Sequence, residues 1–233
     1  LDFLQPAETQ ALMLTLRVTC VALAVAVPLA IGCAWLLARH RFPGHGLVNA
    51  LIHLPLVLPP VVTGYLLLLA LGRKGPIGSL LSDWFGWTVA FTWQGAAVAA
   101  GVMAFPLIVR PIRLSFEAID PRLDQAAASL GARRLTTFCV VTLPLALPGI
   151  LGGAVLGFAK AMGEFGATIT FVSNIPGETR TLSLALYTSL QSPGGEGPAL
   201  RLTLISAAVA FAALILSELW ARQMRTRLEG RDA

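Results

Sequence analysis

The hydrophobic positions of this chain fall in long blocks, not at the alternating or 3.6-residue spacing of half-buried elements. A helix solvated by acyl chains must be apolar all round, so this pattern predicts membrane crossings. Each crossing needs about 20 mostly apolar residues, with about 17 as a floor. Five blocks qualify, over about 9–38, 47–71, 88–109, 143–172 and 202–219. The predicted fold class is therefore an all-α membrane protein, a single transmembrane domain over 1–233 with five transmembrane helices.

Charge orients the predicted bundle. Arg39, Arg41, Arg110, Arg113, Arg122, Arg133, Arg134, Arg222, Arg225, Arg227 and Arg231 fall on one side of the alternating spans, eleven in all. The other side receives four, Arg73, Lys74, Arg180 and Arg201. The bias predicts that the first side is cytoplasmic, with the N-terminus outside and the C-terminus inside. Five spans satisfy that parity and six do not. The excess of basic residues thus reads as topology determination, with no nucleic acid partner. Asp2 and Glu8 stand where a signal peptide carries positive charge, so the first block is expected to be a retained span.

Composition agrees: 56% of residues are hydrophobic and only 12% charged, about half the charged share of a soluble domain. Cys20, Cys33 and Cys139 lie in or beside apolar blocks and read as small apolar residues. His40, His45 and His53 lack metal-ligand spacing, so no metal site is expected.

Two regions depart from plain helical rods. In Leu54-Pro55-Leu56-Val57-Leu58-Pro59-Pro60 each proline removes an amide donor and crowds the preceding turn. Carbonyls freed at membrane depth are tolerated only against protein or a water-filled cavity. Pro59 and Pro60 therefore read as a broken helix along a pathway, or as a kink used only in packing. The outer loop 173–200 carries turn signals at Asn174-Ile175-Pro176-Gly177 and Pro193-Gly194-Gly195. Between them, 181–190 is apolar but too short to span, and predicts a surface or re-entrant helix.

The longest loop on the arginine-rich side, about 110–142, holds a short helix outside the membrane. Asp120-Pro121 reads as an N-cap with proline at the first helical position, and Gly131 as the stop. Leu123, Ala126, Ala127 and Leu130 form one narrow apolar face at i, i+3, i+4 and i+7. That face must pack either on the protein's own helix ends or in a groove of a partner.

Gln125-Ala126-Ala127, three residues, Gly131, nine residues, then Val141-Thr142-Leu143-Pro144 resembles the EAA motif of ABC importer permeases. The departures are Gln125 for the usual Glu and Val141 for the usual Ile. The resemblance implies a type I ABC importer permease fold and a coupling helix, with Gln125, Ala126, Ala127, Leu130, Gly131, Leu143 and Pro144 forming the ATPase-coupling loop. It also implies a symmetric pair with a second copy of the chain, set on two ATP-binding cassette subunits. No Gly-x-x-x-x-Gly-Lys-Ser/Thr phosphate loop occurs in the sequence. ATP-Mg is accordingly expected on the partner subunit, with no cofactor bound by this chain.

The resemblance extends over nearly the whole chain. His53 to Tyr65 and Gly163-Glu164-Phe165-Gly166-Ala167-Thr168 are similar to the oxyanion branch of these permeases, which covers molybdate, tungstate, sulfate and thiosulfate. Ile169 to Thr181 is similar to the molybdate-transporting members in particular. This implies a multi-pass protein of the cell inner membrane, surrounded by membrane lipid and supplied by a periplasmic molybdate-binding protein. Sulfate, thiosulfate or tungstate import is the alternative.

Within the fourth block, Lys160 and Glu164 stand at i, i+4, a spacing that lets the two charges neutralise each other. They read as a structural or gate element. Thr168, Thr170, Ser173 and Asn174 offer hydrogen bonds either to a passing oxyanion or to backbone. An intramembrane enzyme needs converging nucleophile and base, which these blocks lack. An autonomous channel has no need of an EAA-like loop.

Overall fold

The computed structural model describes residues 5–229 and is helical throughout, with no strands among the described residues. Arg231, counted above in the charge bias, lies outside them, and the side chains of Arg222, Arg225 and Arg227 are likewise not described. In chain order the helices are α1 (Pro6–Arg39), α2 (His45–Val57), α3 (Pro60–Leu71), α4 (Pro76–Phe85), α5 (Trp93–Ala118), α6 (Pro121–Ser129) and α7 (Arg134–Thr137). A π-helical turn, Phe138–Thr142, leads into α8 (Leu143–Leu145), α9 (Leu147–Met162), α10 (Gly166–Val172), α11 (Leu182–Leu190) and α12 (Glu196–Glu229).

The core forms where α5 lies between α1 and α9. Small residues make up much of its inner faces, with Met103, Ile108, Val109, Ile112 and Phe116 of α5 buried beside them. Along α1, Ala22, Ala26, Ala30 and Ala34 are buried, whereas Val25 and Leu29 are each 58% exposed. Along α5, Ala96, Ala97, Ala99, Ala100 and Ala104 are buried. Val25 and Leu29 thus point away from the helix contacts, while Val18 and Leu37 join the alanines in the core. Lipid supplies no hydrophobic drive for helices to associate, so close backbone approach through small residues takes its place.

The helix α9 follows the same rule with glycine. A Cβ on Gly153 would lie 2.7 Å from the Ile108 carbonyl oxygen, and one on Gly157 would lie 2.5 Å from Ile108 Cγ1. On Gly149 it would collide with the Ser115 side chain. These three glycines, spaced by four residues, let α9 lie directly on α5.

Among the described residues three helices are long and apolar enough to cross a membrane unbroken, and the number is up to five if each of two bent pairs is one span. The expected span over 47–71 is one of those pairs, α2 and α3, bent by 118°. Pro59 and Pro60 cause the break: Pro60 opens α3, and α2 ends at Val57. The expected continuous span over 143–172 is interrupted at Ala146 and again over 163–165. The third span begins at Trp93, not near 88, because Thr92 caps it by accepting the Gly95 amide at 3.2 Å. It runs on to Ala118, which shortens the loop expected over 110–142.

Contacts sort the helix ends into two groups. At one end, Arg39 from the close of α1 meets Asp124 of α6, and Arg113 near the close of α5 meets Asn49 of α2. At the other, Glu8 of α1 pairs with Arg201 of α12 at 2.9 Å, and Arg17 stacks 3.7 Å from the Trp93 ring centroid. There too the Leu182 amide, opening α11, donates to Thr15 Oγ1 at 2.8 Å. The chain thus returns from the first end to the second between His45 and Trp93, in spite of the sharp bend.

Candidate functional site

Helix α6 is bounded by its own sequence. Asp120 Oδ1 accepts the Arg122 amide at 2.9 Å, and Pro121 occupies the first turn, where no amide donor is needed. At the far end the Gly131 amide reaches the Ala128 carbonyl and the Ala132 amide reaches that of Ala127, both at 3.0 Å. This paired closure turns through a left-handed residue, and Gly131 supplies it at φ +80°.

The apolar face of α6 is not covered by the described residues of this chain. Leu130 is 88% exposed and Leu123 43%. Gln125 and Ala126 are exposed, and Ala127 is half-buried. Of the two ways to bury that face, packing on the protein's own described helix ends does not occur. The polar side of α6 is instead what ties it down. Asp124 Oδ1 accepts from Thr142 Oγ1 at 3.2 Å, and its Oδ2 lies 3.5 Å from Arg39 Nη2. Leu143 packs half-buried against the main core. Pro144 has no amide for the carbonyl four residues back, and the preceding turn widens so that the Leu143 amide bonds Phe138 instead.

The second constellation is the meeting of α3 and α10. A Cβ on Gly64 would stand 2.5 Å from the Ala167 carbonyl oxygen, and one on Gly166 would stand 2.8 Å from Pro60 Cβ. The proline break of the second span and the glycine break of the fourth therefore abut. Glu164, with its side chain 1% exposed, ties the end of α9 to the start of α10 beside this junction. Its Oε2 lies 2.6 Å from Lys160 Nζ, and its Oε1 accepts the Ala167 amide at 3.0 Å. One carboxylate thereby neutralises the lysine of α9 and caps the first turn of α10.

Of the remaining polar residues expected there, Thr168 is buried on α10, and the Thr170 hydroxyl donates to the Gly166 carbonyl at 2.9 Å. Ser173 is exposed at φ +65°, where α10 ends. Asn174 is bound into the segment between α10 and α11: Nδ2 donates to Thr188 Oγ1 at 2.8 Å, and Arg180 Nε donates to Oδ1 at 2.9 Å. The structure therefore groups Pro59, Pro60, Lys160, Glu164 and Thr168 around one junction, and sets Ser173 and Asn174 past the end of α10.

Residues 26–226 match the family described as binding-protein-dependent transport system inner membrane component. The chain belongs to this family. It is similar to the molybdenum transport system permease protein ModB of Escherichia coli K12, 57% identical over 220 residues, covering 94% of this chain and 96% of that one. ModB of Haemophilus influenzae is 53% identical, covering 95% and 96%. The sulfate transport system permease CysT of Escherichia coli K12 is 39% identical over 68% of this chain and 57% of its own. In fold, the chain resembles a bacterial ABC transporter involved in the import of the acidic polysaccharide alginate. That likeness has a TM-score of 0.75 at 19% identity, over 95% of this chain and 81% of the other. The inward-facing MetNI methionine ABC transporter matches with a TM-score of 0.67 at 15% identity, over 94% of both chains.

This permease is thus a multi-pass inner membrane protein of the type I ABC importer fold, and its relatives are permeases, not enzymes. Sequence reasoning did not single out Asp124, Arg39, Gly64 or the α9 glycines. The four-residue spacing of Gly149, Gly153 and Gly157 was the available signal. Asp124 carried none, since its partners lie 18 residues ahead and 85 behind.

Proposed function

We propose that this permease is the transmembrane subunit of an ATP-driven molybdate importer, which moves the oxyanion delivered by a periplasmic binding protein into the cytoplasm by alternating access. The single observation that carries the reading is 57% identity, nearly end to end, to a permease named for molybdenum transport. Sulfate, thiosulfate or tungstate transport is the neighbouring reading, since CysT is similar over two thirds of the chain.

In this reading two copies of the chain stand on two ATP-binding cassette subunits, which bind ATP-Mg while this chain binds no cofactor. The arginine-rich end faces the cytoplasm, so the N-terminus is outside and the C-terminus inside. The uncovered α6 face, with Gln125, Ala126, Ala127, Leu130 and Gly131, docks on the ATPase. Leu143 and Pro144 join that docked helix to α9. Closure of the ATPases draws the two coupling helices together and opens the pathway outward, and hydrolysis resets it. The α3–α10 junction, with Pro59, Pro60, Lys160, Glu164 and Thr168, forms part of the pathway or its gate, with Thr170, Ser173 and Asn174 at its margin. A conducting site must release what it binds, so weak hydroxyl and amide contacts suit it better than a tight cationic cage.

The test is purification of the tagged chain from native membranes, followed by reconstitution with the co-purifying subunits and loaded binding protein. An ATPase that co-purifies, and hydrolysis stimulated more by molybdate-loaded than by sulfate-loaded binding protein, supports the reading. Preferential stimulation by sulfate moves the substrate to the neighbouring one. A chain that emerges with no ATPase sinks the importer reading.

A further inference from the structure

A cleft between α2 and the end of α5 belongs to neither the coupling loop nor the α3–α10 junction. Its volume is about 280 Å³, and Asn49, His53, Arg110, Arg113, Leu114 and Glu117 line it. A water molecule takes about 30 Å³ of liquid, so the space admits a tetra-oxo anion with part of its hydration.

The donors in the cleft are partly set in place. Arg113 Nε donates to Glu117 Oε1 at 2.7 Å, and its Nη1 donates to Asn49 Oδ1 at 2.9 Å. Those two bonds fix the guanidinium plane and leave three of its five N–H donors for a ligand. His53 Nδ1 lies 2.8 Å from the Asn49 carbonyl oxygen, which holds the ring by that nitrogen, and Nε2 has no partner among the described residues. Arg110, one turn before Arg113, makes no ion pair and no side-chain hydrogen bond among the described residues.

Among the described residues the charges lining the cleft are Arg110, Arg113 and Glu117, a net single positive charge. The sole carboxylate is already paired, so a cation finds no open ligand there. An oxyanion finds a free, planar guanidinium fork of the kind that grips carboxylate and phosphate with two parallel bonds.

We propose that this cleft binds a tetrahedral oxyanion, with Arg110 as the principal donor and Arg113 and His53 in support. Two sources share that chemistry. One is the phosphate of an anionic phospholipid, since basic pockets between helices at the cytoplasmic surface hold such headgroups. The other is the transported oxyanion on its way out of the permease, and only this second source rests on the transport function proposed above.

The experiment places the whole complex in nanodiscs of phosphatidylcholine, with or without phosphatidylglycerol, and titrates sodium molybdate. Hydrogen–deuterium exchange over residues 45–53 and 110–118 is read for the wild type, Arg110→Gln and Arg110→Lys. Either phosphatidylglycerol or molybdate should protect these segments in the wild type. Arg110→Gln should weaken the apparent affinity about tenfold, the scale of one lost charge-assisted bond. Arg110→Lys keeps the charge without the fork and should fall between, which keeps the test open if the glutamine variant does not fold.

Protection by phosphatidylglycerol alone assigns the cleft to a lipid headgroup, and protection by molybdate in pure phosphatidylcholine assigns it to departing cargo. Absence of protection by both ligands, or Arg110 variants that titrate like the wild type, overturns the proposal. Molybdate uptake by wild-type vesicles run in parallel separates the two ideas. Uptake without protection removes the cleft and spares the importer, and lipid protection without uptake does the reverse.

Discussion

Asp124 of α6 and Thr142 of the turn before Leu143-Pro144 are joined by a 3.2 Å hydrogen bond across 18 residues of sequence. The same carboxylate faces Arg39, whose side chain is 15% exposed and whose buried Nε and Nη2 find no hydrogen-bond partner among the described residues. Asp124 is therefore the point at which α6 is fastened both to the base of α9 and to the end of α1. Thr142→Val should remove about 1 kcal/mol of that attachment, and Asp124→Ala about 2 kcal/mol because it also leaves a buried guanidinium without its counter-charge. The readout is anion transported per ATP hydrolysed in the reconstituted complex. Both variants should lower that ratio, Asp124→Ala further, while co-purification of the ATPase persists.

Gly131 isolates conformation from space. A Cβ there meets nothing within 4 Å, so within this chain only φ +80° opposes a side chain. Gly131→Asn should be nearly neutral, and Gly131→Ala should destabilise the end of α6 by about 1 kcal/mol. A bulky Gly131→Leu that abolishes stimulated ATPase activity, while Gly131→Ala does not, would locate the added clash in the partner. Equal activity for all three would show that the ATPase does not press on this turn.

Gly64 carries the opposite constraint. Its added methyl would enter the Ala167 backbone, so Gly64→Ala must drive α3 away from α10 and should reduce stability by about 3 kcal/mol. Gly32→Ala, inside α1 where a Cβ meets nothing within 4 Å among the described residues, serves as the comparison and should unfold no lower than the wild type. Thermal unfolding in detergent decides between them.

The two roles of Glu164 separate by substitution. Glu164→Gln keeps an oxygen for the Ala167 amide and loses only the ion pair, whereas Glu164→Ala loses both. Removing one partner of a buried pair costs about 3 kcal/mol, so Glu164→Ala should be the least stable. The reversed pair Lys160→Glu/Glu164→Lys restores opposite charges, but lysine has no acceptor for the Ala167 amide. It should therefore recover only part of the loss. Full recovery in a thermal melt would mean that charge balance alone matters at this junction.

How far these constellations were legible in the sequence differs residue by residue. The boundaries of α6 were readable because Asp120, Pro121 and Gly131 act on amides and carbonyls within a turn of themselves. The break at Pro59 and Pro60 was readable for the same local reason. Helix α4 was not, since Pro76–Phe85 is too short and mixed to register beside the membrane blocks. The start of α5 was misplaced because apolar residues before Trp93 continue the block while the Thr92 cap ends the helix.

Solvent explains what the sequence by itself determined about this protein. A chain bathed in lipid must satisfy its backbone within each segment, so crossings, breaks and basic flanks are written in local composition. Motif spacing likewise carried the family. Contact between segments is decided by shape, and shape has no local signature. That Gly64 would touch Ala167, that Pro60 abuts Gly166, and that Asp124 reaches both Arg39 and Thr142 follow only once the helices have packed. The tertiary structure alone brought the two helix breaks together and left the α6 face bare, because it alone sets which backbones approach closely enough to exclude a side chain.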